Sequence, residues 1–154
     1  LEMEEEIQLN THNKEEYAPA HTTEHLLNQT MIRMFGCERS KNAHIERKKS
    51  KINWPLPVSP TQEQIKEIEN RINELIQLNL PVTYEYVDRN SIPANVPLDK
   101  LPQDASETLR LVRIGDYDVC ACNGNQVETT GALEGLRITS TSYVDGVFRI
   151  VYKV

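Results

Sequence analysis

The stretch from Ser59 to Pro81 constrains the fold more than any other part of the chain. Ser59 is a residue type that caps helices, Pro60 suits a first turn where its missing N–H costs nothing, and Gln62 completes a capping box. Ile65, Ile68, Ile72, Leu75 and Ile76 then recur every three to four residues with Glu and Lys between them, and Pro81 ends the run. A helix with one apolar face needs a partner to cover it. A second helix is expected over 19–36, begun by Pro19, striped by Leu26, Leu27, Met31, Met34 and Phe35, and ended by Gly36 as a left-handed cap. Residues 42–54 read as two short strands around a basic tip, and Val82–Val87 and Leu109–Ile114 as further strands. Leu136–Tyr143 and Val147–Val154 flank Asp145-Gly146, a two-residue hairpin signal. Residues 88–107, broken by Pro93, Pro97 and Pro102, read as a loop. The order helix, strands, helix, strands predicts an α+β fold, an antiparallel sheet with helices packed on it.

The 154 residues are expected to form a single domain spanning 1–154. Within it, residues 1–16 read as a flexible acidic lead-in, with six Glu against Lys14. The whole chain carries 17 basic against 23 acidic residues, a net of −6, which argues against a broad nucleic-acid clamp and against DNA as a partner. The charge is uneven, however. Arg39, Lys41, Arg47, Lys48, Lys49 and Lys51 outnumber Glu38 and Glu46, so this segment could receive a small anionic partner. No apolar run approaches the roughly 18 residues needed to span a bilayer, so no membrane partner is expected. Three cysteines, two of them only two residues apart, fit a reducing compartment, and a cytoplasmic location is expected.

His21 and His25 stand at i and i+4 on the first helix, which puts both imidazoles on one face, about 5–6 Å apart at Cβ and within reach of one metal ion. The alternative is two surface histidines at a polar helix start. Cys122 opens the turn-rich Cys122-Asn123-Gly124-Asn125-Gln126, where a thiolate would make a third zinc ligand; the alternative is a small buried hydrophobe. His21-Thr22-Thr23-Glu24-His25 also fits the inverted zinc-peptidase pattern, with Glu24 as general base. His44 is a candidate extra ligand or base, or simply a strand histidine beside the basic tip.

His-x-x-x-His on a helix together with Cys-x-x-x-Gln on a late loop resembles the alanyl-tRNA editing family: free-standing alanyl-tRNA deacylases and the editing domains of alanyl- and threonyl-tRNA synthetases. The resemblance covers most of the chain. It is carried by His21-Thr22-Thr23-Glu24-His25-Leu26-Leu27, Ala43-His44-Ile45, Ile52-Asn53-Trp54, Ile68–Glu74, Arg113-Ile114-Gly115, and Cys122–Val127 followed by Thr129-Thr130-Gly131. It implies an editing-domain type of fold and a trans-editing hydrolase that deacylates seryl or glycyl esters of an alanine-type tRNA. It also implies one zinc ion on His21, His25 and Cys122, and the tRNA acceptor end as partner. Gln126 stands where the family usually has histidine, and a glutamine amide is a weak zinc ligand, so zinc would be held by three residues and water, or only weakly, or not at all. Gln126 could instead hydrogen-bond the water or the substrate amino group, and Thr22 could meet a serine hydroxyl. Arg47, Lys48, Lys49 and Lys51 are the candidate phosphate contacts, with a solvated tip as the alternative. No aromatic platform for single strands is apparent. A degenerate, non-catalytic module that binds tRNA or a protein is the competing reading.

Overall fold

A computed structural model describes residues 17–88 and 108–154. The acidic lead-in and the proline-broken loop therefore lie outside the described residues. Helix α1 spans Ala18–Phe35, with Pro19 in its first turn and Gly36 ending it at φ 67°, a left-handed cap whose N–H reaches the Ile32 carbonyl. Helix α2 spans Gln62–Leu78 and buries Ile68, Ile72, Leu75 and Ile76 along one side. Its cap lies two residues beyond the expected one. Thr61 Oγ1 accepts from the Gln64 N–H at 3.1 Å, while Gln64 Oε1 accepts from the Thr61 N–H at 2.9 Å. Two overlapping boxes, Ser59/Gln62 and Thr61/Gln64, compete here. The second is formed, and Ser59 instead donates weakly to the Pro60 carbonyl.

The strands are β1 (Asn42–His44), β2 (Ser50–Pro55), β3 (Val82–Asp88), β4 (Thr108–Ile114), β5 (Asp118–Ala121), β6 (Arg137–Val144) and β7 (Val147–Lys153). The α+β expectation holds, with the antiparallel strands shared between two sheets, one in the order β1-β2-β7-β6 and one in the order β3-β4-β5. The β6–β7 turn uses Asp145 at φ 54° and Gly146 at φ 77°, the positive pair that a tight hairpin matching strand twist requires. Trp54 on β2 is fully buried, its ring centroid 6.3 Å from that of Phe148 on β7.

Three contacts clamp α1 to the β4–β5 turn. Thr30 Oγ1 lies 2.6 Å from the Tyr117 hydroxyl, Arg33 covers the Tyr117 ring at 4.2 Å, and an Arg33 N–H reaches the Tyr117 carbonyl at 2.9 Å. This clamp presents one face of β5 to α1. Alternate residues of a strand share a face, so Asp118 and Cys120, with Cys122 just beyond, all turn toward the helix. The chain after β5 returns to the far end of α2. There Thr130 Oγ1 donates to the Leu75 carbonyl and accepts from the Leu80 N–H, each at 2.7 Å. Among the described residues no helix is long and apolar enough to cross a membrane.

Candidate functional site

From Ala20 to Met31 helix α1 is buried nearly all round, and what it buries there is largely polar: Thr22, Thr23, Glu24, His25, Asn28 and Thr30. The reading of His21 and His25 as two surface histidines is therefore wrong for His25, which is 1% exposed; His21 remains half-buried. Buried polar groups must find partners or cost free energy; Thr22 and His25 find theirs on β5 and the loop that follows, Thr30 meets Tyr117 just before β5, Asn28 accepts from the Ser40 N–H and Trp54 Nε1, and Thr23 donates back to the Pro19 carbonyl.

Thr22, His25, Cys122 and Gln126 converge across more than a hundred residues of sequence. Thr22 Oγ1 accepts from the Val127 N–H at 3.1 Å and donates to Gln126 Oε1 at 2.8 Å. Gln126 Nε2 then lies 3.3 Å from His25 Nε2, 3.3 Å from the Gly124 carbonyl and 4.0 Å from Cys122 Sγ. His21 closes the cluster from the helix start. A side chain at Gly124 would sit 3.3 Å from His21 Nδ1 and 3.6 Å from Cys122 Sγ, so the absence of a Cβ lets the loop approach the helix. Arg110 holds the loop's outer side, donating to the Cys122 carbonyl at 2.9 Å and to the Gly124 carbonyl at 2.6 Å.

Behind His25 lies a second layer that the sequence reading missed. Asp118 accepts both Arg39 Nη1 at 2.8 Å and Nη2 at 3.2 Å, and it also accepts from Gln29 at 2.8 Å. His25 Nδ1 is 3.2 Å from Cys120 Sγ and 3.3 Å from Arg39 Nη2. Burial opposes the charge on Arg39, but Asp118 more than offsets this and its pKa stays raised. Burial pushes the Cys120 thiol far up, so the sulfur beside the imidazole is a neutral S–H. The alternation Asp118-x-Cys120-x-Cys122 was the available signal, whereas Arg39 had been counted with the basic segment.

His44 lies elsewhere. It is exposed on β1, and its imidazole contacts the Glu46 carboxylate. In the basic segment Arg47, Lys48 and Lys49 are exposed and Lys51 is half-buried. Arg47 lies 4.5 Å over the ring of Tyr17, and the Tyr17 carbonyl accepts the His21 N–H at 3.1 Å, so the basic tip is anchored to the end of α1 that carries His21. Tyr84 and Tyr86, alternate residues on the edge strand β3, are exposed.

The family model described as the Threonyl and Alanyl tRNA synthetase second additional domain matches residues 109–151. The chain is 29% identical over 150 residues, 94% of its length, to an alanine–tRNA ligase of Methanococcus vannielii, covering 17% of that protein. It is 30% identical over 132 residues to the ligase of Caldicellulosiruptor saccharolyticus, covering 84% of this chain and 15% of that one. The chain belongs to the alanyl-tRNA editing family. With the ligase of Halorubrum lacusprofundi it shares 39% identity over 95 residues, 60% of this chain and 10% of that protein. The chain thus spans less than a fifth of the length of these relatives.

The family resemblance implies zinc, and the donor set can be tested against it. Zinc takes lone pairs from imidazole nitrogen, thiolate or carboxylate at about 2.0–2.3 Å. Between His25 and Cys122 the site instead presents the Gln126 amide nitrogen, which has hydrogens to give and no lone pair to offer. A second trio, His25, Asp118 and Cys120, brings its ligand atoms within 4.8 Å of one another and could hold a metal by donor type. That trio already surrounds a cation, the Arg39 guanidinium bound to both oxygens of Asp118. As arranged, neither set fits a zinc ion.

Proposed function

We propose that this chain hydrolyses the ester joining a wrongly attached amino acid to the terminal ribose of a tRNA, with seryl and glycyl esters of an alanine-type tRNA as substrates, and that it acts in trans in the cytoplasm. The observation that carries this reading is the convergence of His21 and His25 with Cys122 and Gln126 in one cluster of an editing-family chain. Selection at a synthetic site rejects an amino acid differing by one hydroxyl or methylene only by roughly 10–200-fold, so a second, hydrolytic site has work to do.

In the reaction, water oxygen bonds to the ester carbonyl carbon, the bond from that carbon to the ribose oxygen breaks, and the proton shed by water ends on the ribose hydroxyl. His21 carries that proton. It is the less buried histidine, and the buried carboxylate of Glu24 lies 3.9 Å from its Nδ1, where it stabilises the imidazolium. Gln126 and Cys122 form the wall against which the aminoacyl head rests. The hydroxyl of Thr22 is already committed to Gln126 and Val127, so it positions Gln126 rather than meeting a serine side chain. The basic tip at Arg47, Lys48, Lys49 and Lys51, anchored through Tyr17, supplies charge for acceptor-end phosphates.

The test offers the purified chain seryl-, glycyl- and alanyl-esters of alanine tRNA, with and without a chelator. Release of serine or glycine in preference to alanine is the expected result. If none is hydrolysed under any metal condition, the hydrolase reading falls. The filled space between His25 and Cys122 favours a second reading, a tRNA-binding module without turnover, for which binding of the same tRNAs without hydrolysis would be the signature.

A further inference from the structure

We propose that Gln126 occupies the metal position of this cluster, so that the site is built to work without a metal ion. The inference rests on the editing reading only for its expectation of zinc; the hydrogen-bond directions around Gln126 carry the rest.

The amide of Gln126 has one end that accepts and one that donates, and its neighbours fix which is which. The Gly124 carbonyl can only accept, and it lies 3.3 Å from the amide nitrogen. Turning the amide over would set two oxygens against each other there. At the other end, Thr22 has its oxygen engaged by the Val127 N–H and its hydrogen directed at Gln126 Oε1, 2.8 Å away. The chain of donors therefore runs one way, from Val127 N–H to Thr22 O–H to the Gln126 carbonyl. The amide nitrogen then donates toward His25 Nε2 at 3.3 Å, with Cys122 Sγ at 4.0 Å.

An imidazole that accepts at Nε2 carries its proton on Nδ1, where Cys120 Sγ lies 3.2 Å away. Arg39 Nη2, which can only donate, also lies 3.3 Å from this nitrogen, and an imidazole that accepts there carries its proton on Nε2 instead. In either tautomer His25 Nε2 offers zinc no free lone pair, because it accepts from the Gln126 amide or carries the ring proton itself. The space beside Cys122 is filled by that amide. A histidine at 126 would bring a lone pair to the same place; glutamine brings hydrogens and removes one ligand while covering two others.

The experiment measures metal content without any tRNA. The native chain and a Gln126→His variant are equilibrated with zinc, dialysed, and assayed for zinc per chain, with circular dichroism to confirm that both are folded. The native chain is expected to retain little zinc. Gln126→His should bind it at least about tenfold more tightly, approaching one ion per chain, and adding Cys122→Ser should abolish the gain. Gln126→Glu, which offers a carboxylate oxygen at the same reach, provides a second gain-of-binding variant if the histidine disturbs folding. A native chain that retains one zinc per molecule overturns the proposal, whether Cys122→Ser removes that zinc or whether Cys120→Ser does so by emptying the trio behind His25. Gln126→His and Gln126→Glu variants that both fold and gain no zinc overturn it as well.

The hydrolysis assay separates the two proposals. Turnover indifferent to chelator supports both. Turnover abolished by chelator leaves the hydrolase standing and removes the metal-free site. A zinc-free chain with no turnover does the reverse.

Discussion

The two helices of this chain are built on opposite plans. Helix α2 buries four aliphatic residues, Ile68, Ile72, Leu75 and Ile76, and turns its charges outward. Helix α1 buries four apolar residues, Ala20, Leu26, Leu27 and Met31, but also six polar ones. Burying apolar surface yields roughly 25 cal/mol per Å² with no demand on direction, so α2 needs only a partner of suitable shape. Each buried polar group on α1 needs a matching donor or acceptor at the right angle, and a mismatch costs about 1–3 kcal/mol. Stability alone does not call for the second plan. It fixes where an imidazole, a hydroxyl and an amide stand, which is what a reacting site requires.

The contrast can be broken most severely at Asp118. Asp118→Ala strands the buried Arg39 guanidinium, and loss of one partner from such a pair costs about 3–5 kcal/mol, readable as a lower midpoint in urea. A loss below about 1 kcal/mol would mean that α1's polar side is not held by this layer.

Alkaline unfolding is the next probe. Burial, with the nearby Glu24 charge adding to it, pushes the Tyr152 phenol well above its ordinary value, and the hydroxyl donates to the Ala20 carbonyl in α1's first turn at 3.0 Å. The unfolded phenol ionises first, near about pH 10, so the stability linked to this group is intact below that pH and is lost as pH rises beyond it. Melting temperatures between pH 9 and 11 should fall more steeply for the native chain than for Tyr152→Phe; parallel curves would contradict the assignment.

Thr22→Val leaves the Val127 N–H and Gln126 Oε1 without their shared partner and should cost about 1–3 kcal/mol. Its signature is a shift of the Gln126 side-chain amide resonances, which loss of packing elsewhere would not cause. On α2, Thr61→Ala removes the capping box for about 1 kcal/mol and should leave those resonances in place. Lys48→Ala and Lys49→Ala should change stability by less than about 0.5 kcal/mol. If the basic tip meets tRNA, each should instead lower the slope of log affinity against log salt by about 0.7–0.9.

The sequence reading served the two helices unequally. The isoleucine period of α2 announced it, and only its cap moved, because two capping boxes overlap between Ser59 and Gln64. Gly36 and Asp145-Gly146 marked their turns because few other residues adopt positive φ cheaply. On α1, nothing in local periodicity says that Thr22, Glu24 and Asn28 are inside. Cys122 stood out by its turn-rich setting, and Gln126 through the family pattern. Arg39 and Asp118, 79 residues apart, could be joined only by the fold.

Arg110 ties an exposed aromatic ring to the Cys122 loop. Its guanidinium lies 4.5 Å over the exposed ring of Tyr84 while gripping the carbonyls of Cys122 and Gly124. A ligand resting on that ring would touch the same guanidinium that holds the sulfur-bearing loop in place.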